Sequence, residues 1–202
     1  LKKKFHKRRN MYKKFLNEIL LSEIPSVGIH KLMGDGEMNN IIPELSRLKG
    51  FDQQTPYHDK DVLEHTLAVV DEIKPKLNLR LAALLHDISK PDCFTVDERG
   101  RGHFHGHHIS SAITSEKILR RLGYEEELIL DVTILIRYHY IKELVNVIKE
   151  KGIKKFVEAV GAERLDDMFE LIRADMAGKA STNYGVIEKL KDMCEKYLEN
   201  RS

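Results

Sequence analysis

The stretch Leu79-Arg80-Leu81-Ala82-Ala83-Leu84-Leu85-His86-Asp87-Ile88-Ser89-Lys90 decides the fold. From Leu79 to Ile88 it is apolar nearly all round, which predicts a buried central helix ending on His86 and Asp87. An ionised carboxylate in such a place is costly without a partner. Upstream, Asp61 with Glu64 three residues on has the form of a capping box, opening a helix through Ile73. His65 falls three residues after Val62 and four before Val69, so it points with the apolar stripe into the core. Downstream, Asp175 follows Leu165, Met168 and Ile172 at spacings of three, four and three, and faces inward as well. Two carboxylates and two imidazoles on the inner faces of separate helices invite a divalent cation.

The remainder of the chain is dominated by the same helical period. Met11, Phe15, Ile19 and Leu20 form one face of a first helix, closed by Pro25. Ile29–Met33 and Ile41–Leu48 read as short helices, and Phe94-Thr95-Val96 with His103-Phe104-His105 flank Gly100 and Gly102 as a small β-hairpin. Helices are expected at about 107–122, 125–140, 143–159, 162–178 and 184–199. The expected class is therefore all-α, with a helical lead-in over 1–49 and one compact domain over 50–202.

Composition excludes several classes. With 42% hydrophobic and 33% charged residues in 202, bulk disorder is ruled out. No apolar stretch approaches the ~18 residues of a membrane span, and no signal peptide is evident. Cys93 and Cys194 are too few for a disulfide framework or a thiolate site, which suits a cytoplasmic protein. Because the chain begins at Leu1, it is treated as a candidate fragment of something longer. Residues 1–14 hold eight Lys/Arg and no acid, which reads either as a phosphate-backbone contact for RNA or as a solvated tail.

Glu64-His65-Thr66, then Ala83 through Lys90, then the late Asp175 together resemble the HD superfamily of metal-dependent phosphohydrolases. The Gly usual before the Lys is Ser89 here. Gly106-His107 with Ser111-Ala112, and Arg137-Tyr138-His139, resemble the further histidine motifs of members holding two metals. A narrower resemblance is to the body and C-terminal HD region of bacterial CCA-adding tRNA nucleotidyltransferases. It is carried by Leu21-Ser22, Pro25-Ser26, Gly28, Ile42-Pro43-Glu44-Leu45, Tyr57-His58 and Asp61 through Thr66. The signature of the nucleotidyl-transferring head is missing: Asp59-Lys60-Asp61 has the carboxylate spacing but no preceding Gly-Ser, and reads as a helix cap.

The resemblance implies an HD-domain helical bundle behind a lead-in similar to the body region of those enzymes. It implies one ion held by His65, His86, Asp87 and Asp175, and a second by His107 and His139 with Asp87 bridging. Lys90 is expected at a phosphoryl oxygen, and Arg173 at a carboxylate or substrate. His108 is expected on the surface, and His103 and His105 near the mouth of the site. Imidazoles with carboxylates suit Mn, Fe, Co, Ni or Zn better than Mg. The implied activity is hydrolysis of nucleotide or RNA-end phosphoesters, of the 2′,3′-cyclic phosphodiesterase, 2′-nucleotidase or phosphatase type. The alternatives are dinucleoside-polyphosphate hydrolysis, which Arg137-Tyr138-His139 also resembles, and a non-catalytic tRNA-binding module.

Overall fold

The computed structural model describes residues 2–54, 61–145, 148–177 and 184–200, and of 2–6 and 142–144 the backbone alone. Ten α-helices and one two-stranded hairpin make up the regular structure among them, an all-α bundle. A lead-in of α1 (Lys2–Leu20), α2 (Pro25–Gly34) and α3 (Met38–Ile41) runs into a 3₁₀ turn at Pro43–Leu48. Then follow α4 (Val62–Glu72), α5 (Leu77–Leu85), β1 (Thr95–Val96), β2 (Gly102–His103), α6 (His107–Leu122) and α7 (Glu126–Tyr138). A 3₁₀ turn at His139–Leu144 leads to α8 (Glu150–Val160), α9 (Leu165–Ala177) and α10 (Gly185–Glu199). No helix among the described residues is long and apolar enough to cross a membrane.

The core is aliphatic and runs through every layer, from Leu16 and Leu20 in α1 to Leu190 and Cys194 in α10. Every residue of α5 from Asn78 to Leu85 is buried, as its unbroken apolar run requires. Asp61 caps α4 by accepting from the Glu64 amide at 2.8 Å, and its second oxygen takes the Gly50 amide at 2.6 Å. Only half of a capping box forms, because the Glu64 carboxylate turns instead toward His30, 3.5 Å away.

Three expectations shift. The first helix begins at Lys2, well before Met11, so the basic run is helical in place of a frayed tail. Arg9 and Lys13 explain part of this: both lie at the C-terminus of α6, where Gly123 adopts φ +77°. Lys13 Nζ donates to the Gly123 carbonyl at 2.8 Å, cations meeting the negative end of a helix dipole. The helix expected over 125–140 stops at Tyr138 and tightens into a 3₁₀ turn, and α8 starts only at Glu150. The buried helix ends at Leu85, with His86 as its C-cap and Asp87 just beyond.

Lead-in and bundle are joined by a buried arginine. Arg80 is 3% exposed; its Nε donates to the Ile73 carbonyl at 2.9 Å and its Nη1 to the Leu20 carbonyl at 3.3 Å. These are last-turn carbonyls of α4 and α1, which have no partners within their own helices.

Candidate metal centre

Four helix ends and one helix interior converge on a single buried cluster. His65 comes from the middle of α4, His86 and Asp87 from the exit of α5, His107 from the first position of α6, His139 from the exit of α7 and Asp175 from α9. All six are buried, none more than 6% exposed. The start of α6 meets the end of α7 because Gly123–Glu125 is a tight reversal; the His107 and His139 rings lie 5.5 Å apart.

Three of the four imidazoles are set by the backbone. Nδ1 of His86 donates to the Ala83 carbonyl at 2.8 Å, that of His107 to Phe104 at 2.8 Å and that of His139 to Ile136 at 2.6 Å. Each bond reaches three residues back, to a carbonyl where a helix or turn begins or ends; that of Phe104 takes the His107 amide as well, at 3.1 Å. Fixing the proton on Nδ1 leaves the Nε2 lone pair for the interior, the arrangement metal-bound histidines use.

Asp87 sits at the centre. Its Oδ2 is 3.1 Å from His86 Nε2 and 3.8 Å from His65 Nε2, while its Oδ1 is 3.3 Å from His107 Nε2. Asp175 Oδ1 lies 3.1 Å from His65 Nε2 and 3.7 Å from His86 Nε2. Two groups of donors thus share one carboxylate: His65, His86 and Asp87 on one side, and Asp87, His107 and His139 on the other, each with donor atoms within 4.8 Å. His86 Nε2 and Asp87 Oδ1 are buried and make no hydrogen bond. Inward lone pairs crowded against carboxylate oxygens, with such orphans among them, fit a divalent cation on N/O ligands.

Electrostatics agree with that fit. Burial by itself raises the Asp87 carboxyl, but the His86 imidazole and Lys90 ammonium beside it hold it well below the usual carboxylate range. Burial lowers His107 to about 4, so it is neutral at pH 7. Lys90 is 6% exposed, with Nζ 2.8 Å from Asp87 Oδ2 and 5.2 Å from the centre of the Phe104 ring.

Other residues singled out from sequence fall elsewhere. Arg173 is not brought to the cluster: its guanidinium is held by Glu72 at 2.7 Å and Glu170 at 3.1 Å. His103 pairs within the hairpin with Asp97 at 3.0 Å, pulling that carboxyl down to about 2, and the exposed His105 ring stacks on it at 5.4 Å. His108 is half-buried, not on the open surface, because its ring lies flat on Tyr140 at 5.2 Å. Ser89 has φ −102°, which needs no glycine, and its hydroxyl pairs with Thr114 Oγ1 at 2.9 Å. Tyr57, His58, Asp59 and Lys60 lie outside the described residues.

One residue at the site had no signal in the sequence. Gln53, in the irregular segment before α4, accepts from Lys90 Nζ at 2.7 Å and is 1% exposed.

The family description "HD domain" matches residues 62–177, more than half of the chain, and the chain belongs to that family. Among curated relatives, the A-adding tRNA nucleotidyltransferase of Deinococcus radiodurans is 30% identical over 166 residues, covering 79% of this chain and 37% of the relative. The CC-adding tRNA nucleotidyltransferase of Thermus thermophilus is 34% identical over 137 residues, covering 65% and 31%. The multifunctional CCA protein of Alcanivorax borkumensis is 28% identical over 170 residues, covering 80% and 41%. The chain thus spans about a third to two fifths of the length of these relatives.

Proposed function

We propose that the chain is a metal-dependent phosphohydrolase acting on nucleotide or RNA-end phosphoesters. The observation that carries this reading is Asp87, a carboxylate shared by two histidine groups, with the Nε2 atoms of His86, His107 and His139 turned inward by backbone carbonyls. His65, His86, Asp87 and Asp175 would hold one ion, and His107 and His139 a second, with Asp87 between them. A divalent ion so bound supplies Lewis acidity and activates water near neutral pH. Asp87 and Lys90 form a buried pair beside it. The pair keeps the carboxylate oriented, and the ammonium edge offers positive charge to a phosphoryl oxygen in the transition state. Six aliphatic or small side chains of α5 behind it exclude bulk water, which strengthens each of these interactions.

RNA is the favoured substrate class because of α1. Its Lys7 and Arg8 lie along a helix whose Arg9, Lys13 and Lys14 border an open groove of about 750 Å³, against two carboxylates, Glu18 and Glu125, on the same groove. Two of the relatives are named as tRNA nucleotidyltransferases, which supports the same class.

The test is a panel assayed after elemental analysis of protein purified without added metal. Cyclic 2′,3′ and 2′ monophosphates are expected to be hydrolysed in preference to dinucleoside polyphosphates. Asp87→Asn is expected to lower turnover at least a hundredfold and to strip metal while helical content persists. Retained activity above a tenth, or tight tRNA binding without any hydrolysis in Mg²⁺, Mn²⁺, Fe²⁺, Co²⁺ or Ni²⁺, rejects the hydrolase reading.

A further inference from the structure

Gln53 sits in a segment the hairpin pins down. The Gly102 amide donates to the Gln54 carbonyl at 3.0 Å, and Gln54 itself takes φ 49°. A Cβ on Gly102 would collide with the Gln53 carbonyl oxygen, so only glycine lets β2 approach this closely. The Gln53 side chain is therefore held from its own backbone outward, and 99% of it is withdrawn from solvent.

Its carboxamide has one defined orientation. Lys90 Nζ carries only donors, so the atom 2.7 Å from it is Oε1, and the amide nitrogen is the atom that Lys90 does not engage. That Nε2 is buried and makes no hydrogen bond. The amide stands two hydrogen-bond steps from the shared carboxylate, through Lys90 Nζ at 2.7 Å and Asp87 Oδ2 at 2.8 Å. A buried donor without an acceptor is costly in a finished core and rare in native ones. At the border of a site that takes an oxyanion, it is an acceptor's place.

We infer that Gln53 is a substrate-binding residue: its Nε2 donates to a non-bridging phosphoryl oxygen of a substrate seated on the Asp87–Lys90 side of the centre. The assignment rests on the phosphohydrolase reading for the nature of its ligand. A neutral amide suits the task where a second lysine would not. Asp87 and Lys90 already balance, so an uncharged donor adds a directed hydrogen bond without another buried charge.

The probe is inorganic phosphate, titrated calorimetrically into the full chain loaded with Mn²⁺. Gln53→Met keeps the volume and removes the donor. It is expected to weaken phosphate binding about tenfold, the loss of one hydrogen bond to a charged group. Manganese content and melting temperature should hold. Gln53→Glu sets a carboxylate against the phosphate and is expected to weaken binding further; it is read alone if the methionine variant does not fold. Phosphate affinity within twofold of the parent in the variant read overturns the assignment. Loss of manganese overturns it too, because Gln53 would then act only by steadying Lys90 and Asp87. So does a parent chain that takes up no phosphate. A parent chain that binds phosphate Gln53-dependently but cleaves no phosphoester rejects the hydrolase reading and leaves the Gln53 assignment standing.

Discussion

The two ends of α6 are built from the same need and answer it in opposite ways. At the N-terminus, Gly106 turns the chain at φ +74° and delivers His107 into a buried cluster. At the C-terminus, Gly123 turns it again at φ +77°; its amide and that of Tyr124 take the Arg120 and Leu119 carbonyls, and Lys13 of α1 meets the Gly123 carbonyl. The first end is fixed by short bonds to the backbone and admits little variation. The second is held by flexible cations whose net contribution is small because water competes for them. One helix therefore joins a rigid chemical centre to a tolerant charged edge, and the contrast can be tested from either side.

The largest effect is expected at the buried end. His107→Ala or His139→Ala should drop metal content from about two ions per chain toward one and lower hydrolysis by on the order of a hundredfold. Because both serve one ion, the double variant should be scarcely worse than either single one. Full metal in both variants would reduce them to packing residues.

Next comes the pH dependence of the metal-free chain. His107 titrates at about 4 when folded against 6.5 as its ordinary value, so between those values the unfolded chain binds a proton that the folded chain refuses. Stability contributed at neutral pH should fall as pH drops from about 6.5 to about 4, by about 3 kcal/mol if no other group compensates. Denaturant midpoints across that range measure it, and His107→Gln should flatten the slope.

A smaller loss is expected at the other end. Gly123→Ala forces a side chain into the left-handed region and crowds the Arg9 guanidinium, 2.7 Å from the new Cβ. Arg9 can swing aside, so the cost should stay near the conformational one, about 1 kcal/mol. A melting-temperature shift with unchanged metal content confirms that the two ends are independent.

How much of this could be read beforehand follows the range of the interaction. The faces of His65 and Asp175, the burial of α5 and the cap at Asp61 are local or periodic, and the sequence carries them within a few residues. The position of Arg173 is only partly local: Glu170 holds it from three residues back, but Glu72, its other partner, is 101 residues away in the chain. The early start of α1 was hidden for a related reason. Eight like charges in fourteen residues give no apolar period, and what supports part of that helix is the end of α6, more than a hundred residues on. Gln53 was invisible because polar residues in a connecting segment are expected to face water, and this one faces Lys90.

The smallest effect is expected on the exposed basic face. Neutralising Lys7, Arg8 and Lys14 together should leave stability within about 0.5 kcal/mol and small-phosphoester turnover unchanged. RNA affinity should weaken, and its salt dependence should flatten for each phosphate contact removed. An unaltered salt slope makes this side of α1 a solvated surface.

Arg80 carries a consequence for how the chain comes apart. One guanidinium, shielded from water, closes the ends of α1 and α4 at once, through Leu20 and Ile73. Peeling the first fifty residues away leaves that cation buried with part of its hydrogen bonding gone, so the lead-in cannot detach as an independent appendage without weakening the floor beneath α5. Heat should therefore melt both parts in one cooperative transition, and a protease that nicks the chain near residue 50 should find its two products still held together.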